Sequence, residues 1–175
     1  MAILKIAKMG HPVLRRVAEP VEDPTSPEIL KLAGDMMETL EDIGGAGLAA
    51  PQVHASKRLV MFHVPALRGN GEAVPFTVMA NPVIEPLGEE TAEDWEGCLS
   101  VPGLRGLVRR PARIRYHGYG LDGQKIEREA GGFHARVVQH ECDHLDGVLY
   151  PQRMHDLTRL IFESEFRFHA TEART

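Results

Sequence analysis

The chain has 175 residues, 43% hydrophobic and 26% charged, which suits one globular domain with a core large enough to enclose a buried site. Its net charge of −5 argues against nucleic acid as the main partner, since phosphate binding calls for a basic excess. Lysines interrupt the N-terminal stretch where a signal peptide needs apolar residues, and no run approaches the ~18–20 apolar residues of a membrane helix, so a soluble cytoplasmic protein with no membrane partner is expected.

In chain order, the first helix is expected over 25–43. Thr25 or Ser26 can cap it, Pro27 suits its first turn, and Gly44-Gly45 ends it. Ile29, Ala33, Met36, Leu40 and Ile43 recur at helical spacing and should face the core. Residues 57–64, 76–84 and 113–119 are rich in β-branched and aromatic side chains and read as strands. Asp122-Gly123 marks a hairpin between 113–119 and 125–129. Pro65, Pro75, Pro82, Pro86, Pro102 and Pro111 should keep the strands short or at edges. A second helix is expected from Gly132 or Phe133 to Asp146, stopped by Gly147. A last one is expected from Asp156 to Phe168, packing Leu157, Leu160, Ile161 and Phe168. The order predicts an α+β fold: short, mainly antiparallel strands around a central helix, with an N-terminal and a C-terminal helix. Residues 1–175 form one domain in this reading, and 153–175 are its C-terminal helical segment.

The central helix carries His140-Glu141-Cys142-Asp143-His144. Histidines at i and i+4 leave one helix face within reach of a single ion. Glu141 flanks that face and can take a proton from a metal-bound water without ligating the metal. A catalytic site needs a third protein ligand. Cys98, in Glu96-Gly97-Cys98-Leu99-Ser100, is one candidate; Glu163 or Glu165, on the following helix, is the other. Cys142 lies roughly 160–200° around the helix from each histidine, so it should point away from the metal and pack in the core. With only Cys98 and Cys142 present, free thiols or ligands are expected rather than a disulfide.

A third element is Gly45-Ala46-Gly47-Leu48-Ala49-Ala50-Pro51-Gln52, whose small residues admit a close approach by another chain. Gln52 can offer an N–H to an oxyanion. A packed small-residue turn explains the stretch about as well. Phe133 and Val137, two turns and one turn before His140, can line an apolar pocket or pack in the core, and Trp95 can shape a rim or pack likewise. Arg105, Arg109, Arg110, Arg113 and Arg115 form a basic run, better read as a solvated strand face than as an attractor for an acidic partner. The remaining histidines show no ligand spacing and read as surface or structural.

Together, Gly45–Gln52, Glu96–Ser100 and Gln139–His144 resemble the G-x-G-L-A-A-x-Q, E-G-C-L-S and Q-H-E-x-D-H motifs of the peptide deformylases, in that family's order and spacing. The resemblance runs from Gly10-His11-Pro12 to about Tyr150. It implies that Cys98, His140 and His144 hold one divalent metal, typically Fe²⁺, with Zn²⁺, Ni²⁺ or Co²⁺ able to substitute. It implies hydrolysis of the formyl group from the N-terminal formyl-methionine of nascent polypeptides, with metal-bound hydroxide as nucleophile and Glu141 as general acid/base. Gln52 and the Leu99 N–H would form the oxyanion hole, Gly47 would contact the substrate backbone, and Ala46, Arg105, Phe133 and Val137 would line the substrate site. Ala46 is smaller than the branched residue of many relatives, which leaves the pocket wall more open. The implied partner is the nascent formylated peptide, with a transient ribosome contact. Two rivals compete: a zinc endopeptidase using Glu163 or Glu165, which leaves Cys98 unexplained, and an inert binding module, which needs neither Glu141 nor Gln52.

Overall fold

The computed structural model describes residues 2–69 and 73–169. Helix α1 spans Pro27–Ile43 and ends where Gly44 adopts φ 74°, its N–H bonding to the Leu40 carbonyl. Ile29, Ala33, Met36 and Leu40 are buried as their spacing predicts, whereas Ile43 at the helix end is 39% exposed. Among the described residues eight strands follow in two antiparallel sheets: β1 (Gly47–Ala49), β2 (Leu59–Val64), β3 (Val74–Pro86), β4 (Thr91–Cys98), β5 (Val101–Pro111), β6 (Arg113–Tyr119), β7 (Lys125–Gly131) and β8 (Leu160–Phe162). The larger sheet has the order β1-β2-β3-β6-β7 and the smaller β4-β5-β8. Helix α2 spans Gly132–Leu145, between β7 and β8 in the chain.

The period-2 pattern of β2 positions the two helices. Leu59 and Met61 join Ile29, Ala33, Met36 and Leu40 of α1 in one core cluster. Val60, Phe62 and Val64 point the other way, into a second cluster with Ala135, Val137, Val138, Cys142 and Leu145 of α2. The sheet is thus covered on both faces, and α2 lies across its inner side with its histidine edge turned toward the smaller sheet. The fold is the expected α+β arrangement of antiparallel strands around a central helix. The expected hairpin is also present: β6 pairs with β7 through the turn at Gly120–Gln124, with Gly123 at φ 75°.

Three expectations are corrected. Prolines do not confine β3 to an edge: it is 13 residues long and lies third in its five-stranded sheet. Pro82 is tolerated because the β3–β6 register shifts between Ala80 and Val83, where Asn81 takes φ 51°. Strands β1, β4 and β5 are additional to those read from the sequence. Finally, no single α-helix runs from Asp156 to Phe168: a 3-10 turn (Leu157–Arg159), strand β8 and a second 3-10 stretch (Glu163–Phe168) occupy it. Leu160-Ile161-Phe162 is a strong strand former, and pairing with the open edge of β5 overrides the helical spacing. Leu157 and Phe168, expected to pack, are 66% and 61% exposed. Residues 170–175 of the expected C-terminal segment lie outside the described residues. Among those described, no helix is long and apolar enough to cross a membrane.

Candidate active site

Strand β4 ends at Cys98, where the ladder with β5 shifts register after Gly97 and the chain turns through Leu99-Ser100. That turn brings the thiol against the histidine face of α2. The ligand atoms of Cys98, His140 and His144 all lie within 4.8 Å of one another, and Cys98 Sγ is 3.4 Å from His144 Nε2. Cys98 is thus the third donor brought to the histidines. Glu163 lies instead against Arg105, Nε–Oε1 2.9 Å, and neither it nor Glu165 joins the Cys98–His140–His144 cluster, so the endopeptidase ligand set is not assembled. A thiolate and two imidazoles suit a divalent transition metal and leave a fourth position open, as in catalytic sites.

The electrostatics favour the thiolate form of Cys98. Burial pushes the Cys98 thiol up, but the neighbouring imidazoles of His144 and His140 outweigh it and hold the group well below the usual thiol range. Burial lowers His140, while Cys98 and Glu96 raise it further than burial lowers it. Glu96 explains the orientation of that ring: its Oε2 lies 2.8 Å from His140 Nδ1, leaving Nε2 for a metal. Glu96 is itself held by Arg110 (Nε–Oε1 2.6 Å, Nη2–Oε2 2.9 Å) and by Arg136 (Nη1–Oε1 2.8 Å). Burial raises its carboxyl, but the hydrogen bonds from Arg110 and His140 win and keep it ionised. Arg110 also donates to Asp143 (2.9 Å), which Arg153 holds at 2.6 Å.

Glu141 is 4% exposed, and its Oε2 has no hydrogen-bond partner. Burial raises its carboxyl to about 7, against the pull of His140 and His144, so it can exchange a proton near neutrality. Gly47 sits directly over it: a Cβ there would lie 2.7 Å from Glu141 Cδ, so only glycine leaves the carboxylate in place. Gln52 is buried, with Oε1 accepting from the Ala49 N–H at 2.9 Å. Its Nε2 faces Ser100 Oγ at 3.2 Å and Cys98 Sγ at 3.5 Å, so its amide is aimed at the Cys98–Ser100 turn.

These groups open on a cavity of about 460 Å³. Cys98, Leu99, His140, Glu141, Gln52, Gly47, Ala46, Phe133, Val137 and Arg105 all line it; His144 lies behind, 1% exposed. Val137 belongs at once to the cavity wall and to the main core cluster, and Phe133 packs against that cluster, so both readings of these residues hold. Trp95 likewise lines the rim and packs edge-on against Phe166, centroids 5.4 Å apart. Cys142 faces the core, and burial raises its thiol. The basic run divides: Arg109, Arg113 and Arg115 pair with Glu93 or Glu129 on exposed strand faces, whereas Arg110 is 5% exposed in the ligand support. Sequence reasoning missed the support formed by Glu96, Arg110, Arg136 and Asp143. The available signal was the placement of Glu96 two residues before Cys98.

Fold and site together define a metallohydrolase: a ligand-bearing helix under a sheet, a thiolate from a neighbouring strand and a buried carboxylate beside them. Residues 3–160 match the family described as Polypeptide deformylase. Peptide deformylase 1 of Bordetella pertussis is 58% identical over 156 residues, 88% of this chain and 89% of that protein. Peptide deformylase 1 of Nitrosomonas europaea is 51% identical over 160 residues, 90% of each. The class I type b peptide deformylase of Acinetobacter baumannii with Met-Ala-Ser bound superposes with a TM-score of 0.80 at 38% identity, covering 87% of this chain and 99% of that one. Peptide deformylase from Ehrlichia chaffeensis gives a TM-score of 0.83 at 30% identity, covering 98% and 99%. This chain belongs to the peptide deformylase family, whose members are metal-dependent hydrolases.

Proposed function

We propose that this chain acts as a single metallohydrolase domain that removes the formyl group from the N-terminal formyl-methionine of nascent polypeptides and releases formate. The observation carrying this reading is the convergence of Cys98, His140 and His144 beside a buried Glu141 carboxylate that has an unpartnered oxygen and lines a peptide-sized cavity. Met-Ala-Ser in the Acinetobacter relative supports a peptide with N-terminal methionine as the occupant.

In this reading Cys98, His140 and His144 hold one divalent ion. Their donors fit Fe²⁺, the ion favoured by the family resemblance, and also Zn²⁺, Ni²⁺ or Co²⁺. When bound, the metal supplies Lewis acidity, acidifying water and polarising the formyl carbonyl. Glu141 takes the proton of the attacking water. As the carbonyl oxygen becomes negative, Gln52 Nε2 and the Leu99 N–H donate to it; one such donor is commonly worth ~2.7–4 kcal/mol in the transition state. Glu141 then returns the proton to the leaving nitrogen, which must be protonated before the C–N bond breaks. Gly47 and Ala46 leave room for the substrate backbone, Phe133 and Val137 give the methionine side chain an apolar wall, and Arg105 stands at the rim. Nascent chains as substrate place the reaction in the cytoplasm, beside the ribosome.

The test is formate release from a formyl-Met-Ala-Ser peptide by protein prepared without oxygen and reloaded with Fe²⁺ or Ni²⁺. Formate with intact internal peptide bonds is expected. Cleavage at an internal bond would point to an endopeptidase, and a folded, metal-loaded protein without turnover would point to a binding module.

A further inference from the structure

The proposed deformylation leaves one charged pair at the cavity rim without a role. Both Nε and Nη2 of Arg105 donate to Glu163 Oε1, and both residues line the cavity that holds Cys98 and Glu141. The placement comes from the β5–β8 ladder. Arg105 lies opposite Ile161, and Glu163 opens the 3-10 stretch just past the end of β8. The stretch that follows adds a second hold, with the Arg105 guanidinium 5.3 Å from the centre of the Phe166 ring. Phe166 packs in turn on Trp95.

The remaining charge at this rim is positive. Lys8 and Arg68 are the other exposed charged residues lining the cavity, which makes Glu163 the one exposed acid among its described lining residues. A peptide entering with an acidic side chain beyond methionine would find three cations if Glu163 were absent. With Glu163 present, the nearest partner of Arg105 is already supplied by the protein. The pair is open to solvent, with side-chain exposures of 31% and 55%, so it is weak enough for a substrate carboxylate to compete with it.

We propose that Glu163 is a selectivity-determining residue of the cleft: by occupying Arg105 it denies that guanidinium to acidic side chains of the peptide and shifts preference toward neutral ones. Glu163 touches no reacting atom and acts through Arg105, as a positioning residue. The inference rests on the deformylase reading above.

The experiment compares kcat/KM for formyl-Met-Ala-Glu-amide and formyl-Met-Ala-Gln-amide. Amidated termini remove the terminal carboxylate as a competing ligand, and the ratio within one preparation divides out differences in folded or metal-loaded fraction. In Glu163→Gln, which keeps a hydrogen-bonding partner for Arg105 but loses the charge, the Glu-to-Gln ratio should rise about threefold to fivefold over wild type, the scale of an exposed ion pair. The rise should shrink at high salt. It should be lost or much reduced when the same change is made on an Arg105→Gln background. An unmoved ratio, or an equal rise with and without Arg105, overturns the inference and leaves the deformylase reading intact. Absence of formate from either peptide with metal-loaded wild type overturns both.

Discussion

Glu96 Oε2 lies 2.8 Å from His140 Nδ1, tying the strand that delivers the thiolate to the helix that delivers the imidazoles. The same carboxylate receives Arg110 and Arg136, and Asp143 supplies a second negative charge to Arg110, so buried acids hold His140 and balance the two buried guanidinium groups. Two of the three motifs, Glu96–Ser100 and Gln139–His144, are therefore held together by one carboxylate.

Glu96→Gln should be costly in two separable ways. It strands buried arginine charge, which destabilises by about 3–5 kcal/mol, and it loosens His140, which weakens metal binding about 10–100-fold. Because the folded-state pKa of Glu96 is depressed, its contribution is present above the unfolded value of 4.5 and is lost as pH falls. The stability gap between wild type and Glu96→Gln, read by denaturant unfolding, should therefore close progressively as pH drops below about 4.5.

Gly47→Ala should fold and bind metal but lose about 100-fold in kcat/KM. Its Cβ has to displace the Glu141 carboxylate, and a misplacement of about 1 Å in a reacting group can cost about 100-fold. Formate release measured beside metal content separates the loss from a loss of ligands.

Glu141→Gln should retain metal and lose about 10²–10⁴ in turnover. Burial raises this carboxyl to about 7, so in metal-free protein the ionised group opposes folding increasingly as pH rises from the unfolded value of 4.5 toward 7. The variant should thus be at least as stable as wild type near pH 7.5, with a thermal melt as the readout; a clear fall in stability would assign Glu141 a structural role instead.

Gln52→Leu should lower kcat by about 10²–10³ if its amide faces the developing oxyanion. It should also cost about 1–3 kcal/mol of stability, because the Ala49 N–H and Ser100 Oγ lose a buried partner. Normal kcat in a destabilised variant would reduce Gln52 to a structural brace.

What the sequence could disclose follows from distance along the chain. His140, Glu141 and His144 are local, their helical spacing defines a face, and the small residues of 45–52 stand next to their own helix stop. The support around them is not local: Glu96 meets Arg110 across 14 residues and His140 across 44, contacts that exist only once β4, β5 and α2 pack. Strand β4, Thr-Ala-Glu-Asp-Trp-Glu-Gly-Cys, is too polar to show a strand pattern because its charges face partners on β5, such as Glu93 with Arg109. The C-terminal segment misled for a related reason. Its apolar spacing fits a helix, but an open edge on β5 offered Leu160–Phe162 a ladder that no local rule anticipates.

The most direct test of the account is a metal titration of oxygen-free, metal-stripped protein, with formate release from formyl-Met-Ala-Ser followed at each step. Activity is predicted to rise linearly and saturate at one equivalent of Fe²⁺ or Ni²⁺ per chain, with Cys98→Ala showing no such saturation. Turnover without metal, or the same one-equivalent saturation in Cys98→Ala, would contradict a catalytic centre built on Cys98, His140 and His144.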